Sequence, residues 1–477
     1  MNRRDFSKTV LSFGAAAQTG MAQEQYEEPA RKLPARRFDV VVAGGGTAGV
    51  VAAMAAARQG AKTILIEAKG YPGGTVVEGG TTLHSFYNLW KPFPGVAKKN
   101  VVRGIPKEIV DRLLLAGGTC GYPEMLRNTG YDSVCTVIDT EMYKLTAFEL
   151  LDEAGVFVAV NTLLCGAVRK GERIEGVITE SRSGREVVWA KTFVDCTGYG
   201  DLSAHAGAKY TEPNDYPVVN SMGVGNVDIE KLCRWLKSRD ALSDYCEGLR
   251  DGQEGQIVRL GGNGVNLPPE FNQGAAKLGA TFLTTTVRDN YFMFIKINLK
   301  LPVSPTNRDA VAKAELELRR RQHQTVDLFR KHLPGCEKAF IARTSPSLNV
   351  RRGRLIACDY DITRSDVLEA RHFDDDVMAY GFHDSAPRLQ IRNGGTYGIP
   401  YKALRVAGIE NLLAAGMLIT SDHDAHMSTR NTVCSMGQGQ GAGTAAALCA
   451  ARNCGTRDLP YGVLRKALEK GGVYFEG

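Results

Sequence analysis

The chain has 477 residues, 43% hydrophobic and 23% charged, enough for two or three domains that each bury a core. Its formal charge of +7 comes from 59 basic and 52 acidic residues spread along the chain, a balance that points to no nucleic-acid partner. Glycine is frequent, 53 residues clustered at turns, and no repeat of solenoid length stands out.

In chain order, the first segment reads as an address. "NRRDFSK" carries Arg3-Arg4, Phe6 and Lys8, and resembles a twin-arginine export signal, although Asn2 and Ser7 depart from the usual pattern. A mildly apolar stretch from Thr9 to Ala22 follows, and no run reaches the length of a membrane span. A periplasmic or otherwise exported protein is expected, or a cytoplasmic one if the signal does not work. Residues 1–36 are taken as signal and polar linker.

Phe38–Val42 is a β-branched run suited to a central strand. Gly44, Gly46 and Gly49 then stand at G-x-G-x-x-G spacing, which serves a tight turn, close approach of backbone to a pyrophosphate and close helix–strand contact. "AGVVAAMAAARQG" is a small-residue helix whose N-terminus would meet the phosphates, with Gly60 as its stop. "KTILIE" is the next strand, and Glu67 at its end can accept hydrogen bonds from ribose hydroxyls and would repel a 2′-phosphate. Strand, glycines, helix, strand and acid in this order define a dinucleotide site.

"YPGGTVVEGG" follows the acid. In flavoproteins of the glutathione-reductase type the corresponding segment runs beside the flavin. A helix and strand in "DTEMYKLTAFELLDEAGVFVAVNTLL" come next, then two strand pairs split by Ser183-Gly184 and ending at Thr197-Gly198. The run Arg319-Arg320-Arg321 sits in a charge-alternating helix and is expected to face solvent. Near the far end, "GIENLLAAGM" supplies a strand and Gly416, and "GQGQGAGTAAALCAA" a glycine-opened helix whose N-terminus would face the flavin. A second cofactor segment so far downstream favours FAD over NAD.

Together the blocks "VVVAGGGTAGVVAAMAAARQGAKTILIE", "VDCTGYGDLSAHAGAKY", "VRRGRLIACDYDITRSDVLEARHFDDDV", "YGIPYKAL" and "NLLAAGMLITSDHDAHMSTRNTVCSMGQGQGAGTAAAL" resemble the FAD-dependent oxidoreductase family. Its relatives include the heterodisulfide reductase A and succinate dehydrogenase flavoproteins. The resemblance implies an α/β fold: a Rossmann-like FAD-binding domain of glutathione-reductase type with an inserted α+β substrate or cap domain. The expected division is 37–205 and 395–477 for the FAD domain and 206–394 for the insert. Carried over position by position, Gly44, Gly46, Thr47, Ala48, Glu67, Gly74, Thr75, Thr197 and Gly198 touch FAD. So do Leu164 by its backbone, Gly416, Arg430 and the glycines around Gly441. The family's reported iron–sulfur cluster has no cysteine run here to hold it. Eleven cysteines without a C-x-x-C pair also argue against a zinc ribbon or a dithiol redox pair, so buried free thiols and no metal are expected.

The resemblance further implies a small-molecule substrate and an electron acceptor, oxygen or a carrier. Oxidation of a CH–OH or CH–NH group needs a base, usually histidine. His423 and His426 in "SDHDAHMSTR" are the first candidates, sharing one face if that stretch is helical, with His423 preferred. His383, in "AYGFHDSAPR", is the other, and His84 lies after the glycine-rich segment. Arg351, Arg352 and Arg354 form a basic cluster in which Arg351 and Arg354 would grip an acidic substrate, or else pair with acids such as Asp359, Asp361 or Asp374-Asp375-Asp376. Tyr401 would bond substrate or simply pack. A fumarate- or enoate-type reductase, with arginine in place of histidine beside the flavin, and an electron-transfer subunit without its own substrate are the alternatives.

Overall fold

A computed structural model describes residues 26–80, 82–89, 93–124, 134–382 and 389–475. The signal-like segment up to residue 25 and His383 therefore lie outside the described residues. Residues 26–34 form no helix or strand, and the rest of the chain, from Ala35, is one compact unit.

Val40–Ala43 is the centre of a five-stranded parallel sheet. Its neighbours are Thr63–Ile66 and Phe157–Ala159 on one side, and Thr192–Asp195 and Leu412–Ala414 on the other. All four residues of the central strand are fully buried, as a strand covered on both faces demands. The expected start at Phe38 slips two residues, because Asp39 caps the sheet edge by accepting the Lys62 N–H. The strand order places the first and fourth strands side by side, and their carboxyl ends open the crevice where such sheets bind nucleotides. The expected meander is the sheet of Leu163–Lys170, Arg173–Ser181 and Gly184–Trp189, with Ala35–Arg37 added in parallel at its edge.

Between these blocks lies a six-stranded antiparallel sheet. Its order is Leu242–Arg250, Gln253–Gly262, Leu283–Thr285, Tyr291–Leu299, Val218–Gly225 and Phe340–Thr344. The long helix Arg308–His332 turns Ala314, Leu318, Gln322, Val326 and Phe329 inward at helical spacing. Arg320 on that helix faces solvent as expected, whereas Arg319 donates to the carbonyls of Ser345 and Pro346 and Arg321 pairs with Glu317.

The apolar interior divides differently from the expected boundaries. Residues from Ile356 to Leu404, including Val377, Tyr380 and Tyr397, share the core of the parallel sheet. The cores against the second sheet draw on residues from Met222 to Ala339 and from Val218 to Val350. No helix among the described residues is long and apolar enough to cross a membrane.

Candidate functional site

The glycine loop shows why its sequence is so restricted. Gly44 has φ +91°, and a Cβ there would lie 2.5 Å from the Cys196 carbonyl oxygen. Gly46 differs, because a Cβ there would meet nothing closer than the same oxygen at 4.0 Å. The space it would fill is the cavity in front of the helix Thr47–Arg58. That helix has no side-chain N-cap, so its first-turn amides face the opening. Glu67 stands opposite, accepting from the Gly45 N–H at 2.6 Å and the Lys69 N–H at 2.7 Å. Burial pushes its carboxyl above the ordinary range, and these two amides oppose the shift.

Gly44, Gly46, Thr47, Ala48 and Glu67 line a single cavity of about 590 Å³. The helix Thr75–Gly79 adds Gly74 and Thr75, and Leu164, Thr197 and Gly198 complete this side. At the far end stand Gly416, Arg430, Thr432 and Ser435, so the amino- and carboxyl-terminal blocks do converge. Gly416 is held by Gln438, whose side chain accepts from its N–H and donates to the Thr429 carbonyl, each at 2.8 Å. An unfilled glycine cradle, uncapped amides and a ribose-reading acid fit a bound dinucleotide.

Gly441 is a correction. It lies inside the helix Thr432–Arg452, away from the cavity, where its missing side chain makes room for Val377. The glycine run there serves packing: Cβ atoms at Gly439 and Gly443 would come within 2.2 Å of the Ala48 oxygen and 2.1 Å of the Ala52 oxygen. The helix begins nine residues before Gly441 at Thr432, and that earlier N-terminus is the one facing the cavity.

The histidines also fall elsewhere. His423 opens the helix His423–Thr429, and its side chain is 56% exposed with Nδ1 2.8 Å from Asp215 Oδ2. It is not among the cavity-lining residues. Burial raises the Asp215 carboxyl, but the His423 bond and the Arg352 charge outweigh it and hold the group low. His426 is fully buried. Its Nε2 donates to the Arg351 carbonyl at 3.0 Å, and its pKa is pulled down to about 3 by burial and then by the Arg430 charge. The pair does share one helix face, and both rings pack on Tyr216. Neither is placed to take a proton from a cavity ligand.

Of the basic cluster, only Arg351 lines the cavity. Arg352 pairs with Asp215 and donates to the Ser421 carbonyl at 3.0 Å. Arg354 is taken up by Asp201 at 2.8 Å and the Tyr199 carbonyl at 3.1 Å. These partners are not the acids expected from the sequence. Tyr401 is buried and donates to the Thr456 carbonyl at 2.8 Å, a packing role.

Sequence reasoning missed the wall that faces the nucleotide side. Val219 and Ser221 from one strand and Phe294 and Lys296 from its neighbour enter the cavity at alternate positions, as one face of a sheet does. Phe294 has φ +67°, rare for an aromatic residue, opposite a register shift at Met222–Val224. The bulge turns its ring into the cavity, and Lys296 Nζ lies 4.5 Å from that ring. Alternation in "MFIKINL" was the available signal, but the bulge resets it. Tyr216 was also missed. Its ring carries the Arg430 guanidinium at 5.7 Å, and its hydroxyl donates to the His423 carbonyl at 3.1 Å.

The parallel sheet, its glycine cradle and the cavity in front of them form a dinucleotide site of the kind that FAD-binding oxidoreductases use. The family described as FAD dependent oxidoreductase matches residues 39–468, and the chain belongs to it. Among curated relatives, the 3-oxosteroid 1-dehydrogenases of Mycolicibacterium smegmatis and Mycobacterium tuberculosis are 38% identical over 77 residues and 40% over 76. Each match spans 16% of this chain and only 12% of the dehydrogenase. A solved geranylgeranyl bacteriochlorophyll reductase-like protein from Thermoplasma acidophilum is 15% identical with a TM-score of 0.45, covering 91% of this chain and 83% of its own. The myxobacterial chondrochloren halogenase is 12% identical with a TM-score of 0.46, covering 91% and 78%.

Proposed function

We propose that this flavoenzyme exchanges two electrons with a small organic acid, bound between the FAD site and the second sheet. When bound, FAD supplies the hydride acceptor or donor. One observation carries the reading: Arg430 lines the cavity with a buried Nε that has no partner, and no carboxylate among the described residues pairs with it. Its contacts are the Tyr216 ring and the Met427 sulfur. Arg430 is half-buried, its Nε is shielded from solvent without a hydrogen-bond partner, and a substrate carboxylate would satisfy it with charge-assisted hydrogen bonds. Arg351 and Lys296 line the same cavity and would add to the grip. Arg430, expected from the sequence as a cofactor contact, is assigned to the substrate because Tyr216 and Met427 flank it, not the phosphate loop.

The narrower expectation, oxidation of CH–OH or CH–NH, needs a base. His383 keeps that role as a proposal, since it follows Phe382, which lines the cavity. The arginines alone would serve the reverse chemistry on an enoate. Residues of the second sheet in the cavity wall support a substrate chamber over an electron-transfer subunit. Anaerobic mixing with hydroxy acids, amino acids and their uncharged esters tests the reading. The acids should bleach the bound flavin and the esters should not. If the oxidised flavin resists every acid, and the reduced flavin is reoxidised by an enoate, the direction is reversed. Equal bleaching by esters would remove the anion grip. Arg430→Gln should raise the KM for the acid about a hundredfold while FAD is retained; loss of FAD would return Arg430 to the cofactor.

A further inference from the structure

One strand of the second sheet breaks its alternation of faces at the cavity. Phe292 and Ile295 both join the core that holds Val326 and Phe329 of the long helix, three positions apart instead of two. Across the ladder Met222 pairs with Ile295 and Val224 with Phe292, so Gly223 alone opposes Met293 and Phe294. This is a β-bulge, and Phe294 is its extra residue. Its φ of +67° is a conformation that, among the described non-glycine residues, falls mostly to asparagine and aspartate. Plain alternation would send Phe294 back to the helix side with Phe292. The bulge instead leaves it buried, 8% exposed, yet outside every apolar core among the described residues. Its ring lines the cofactor cavity, and the Lys296 ammonium stands over one face. Strained backbone is kept where the side chain it aims has a use, and core packing does not use this ring. Leucine in an unbroken strand would give an apolar wall at lower conformational cost. What an aromatic ring adds is a flat face and a quadrupole that a second ring meets in offset or edge-on contact. Val219, Met417 and Met427 add apolar surface to the same cavity.

We propose that Phe294 is a specificity-determining residue, and that the acid held at Arg430 carries an aromatic ring which packs on it. The inference rests on the acid-binding reading given above and narrows it to aromatic carboxylic acids. Arg430 supplies the charge-assisted contact and Phe294 the aromatic one. An acid of the same charge without a ring meets the guanidinium and leaves the Phe294 face wet. A neutral aromatic compound meets the ring and leaves the guanidinium unanswered. The two contacts differ in chemistry, so each can be removed without the other.

The test titrates the full-length, FAD-loaded enzyme calorimetrically with phenylacetate, cyclohexylacetate, acetate and 2-phenylacetamide, a readout that does not depend on the direction of electron flow. Phenylacetate should bind at least about tenfold tighter than acetate and about fivefold tighter than cyclohexylacetate. Phe294→Leu keeps an apolar side chain without the flat face and should bring phenylacetate and cyclohexylacetate within about twofold of each other. Phe294→Gly suits the positive φ and should weaken phenylacetate while leaving acetate within about twofold of its native affinity. Phenylacetate bound no tighter than acetate or cyclohexylacetate would overturn the proposal and leave the anion grip standing. So would ratios that neither variant changes. 2-Phenylacetamide bound as tightly as phenylacetate would instead fail the acid-binding reading, and the proposal with it. Loss of FAD from Phe294→Gly would assign the ring to the cofactor and overturn the proposal as well. If the leucine variant does not fold, the glycine variant and the native ratios decide.

Discussion

At position 426 an imidazole is sealed in the interior as a neutral donor to the Arg351 carbonyl, with Ser421 beside its other nitrogen. The folded chain refuses a proton there until about pH 3, while the unfolded chain accepts one from about pH 6.5. The unfolded state thus binds more protons across that window, and stability falls as pH falls through it, by up to about 1.4 kcal/mol per unit. His426→Gln should flatten the acid limb of a plot of Tm against pH. An unchanged limb would mean that other groups control it. A neighbouring prediction concerns Tyr216. Tyr216→Phe keeps the aromatic face under Arg430 and should leave the KM for an acid substrate within about threefold. Tyr216→Leu removes a contact worth about 0.5–2 kcal/mol and should raise it up to about thirtyfold with little change in kcat. Steady-state kinetics on the two variants separates face from hydroxyl.

Two glycines in different elements make opposite tests of the helix pair. Gly443 lies where the Thr432–Arg452 helix touches the Thr47–Arg58 helix, and a Cβ there would meet the Ala52 oxygen at 2.1 Å. Gly443→Val should therefore destabilise the protein by about 3 kcal/mol or more, seen as a lowered denaturant midpoint with or without FAD. Gly46→Val should leave the FAD-free protein near its original stability and abolish FAD retention, because its side chain would occupy only cavity space. The strand–glycine–helix–strand–acid unit was legible in the sequence because each part depends on neighbours a few residues away. Gly441 misled because glycine within a helix has two uses, loop geometry and close packing, and only the partner helix tells them apart. The wall of Val219, Ser221, Phe294 and Lys296 was not legible. It depends on pairing between strands some seventy residues apart and on a bulge that sequence alternation does not mark. The acids that absorb Arg352 and Arg354, Asp215 and Asp201, lie more than a hundred residues upstream, too far for local reasoning.

For the molecule as a whole, we propose that the Arg3-Arg4 segment, which lies outside the described residues, directs export of an already folded, cofactor-loaded protein. Arg3→Lys with Arg4→Lys should retain the yellow protein in the cytoplasmic fraction, as fractionation and flavin fluorescence would report. Equal export of that variant would remove the assignment. The parallel sheet adds a constraint of timing. Its edge strand, Leu412–Ala414, lies against Thr192–Asp195 and brings Gly416 and the final helix to a cradle begun at Gly44. A chain emerging from the ribosome holds the phosphate half of that cradle, at Gly44, about 370 residues before it gains the other half at Gly416. Flavin capture therefore waits for both halves, and pigment acquisition is a natural checkpoint for whether the polypeptide has closed.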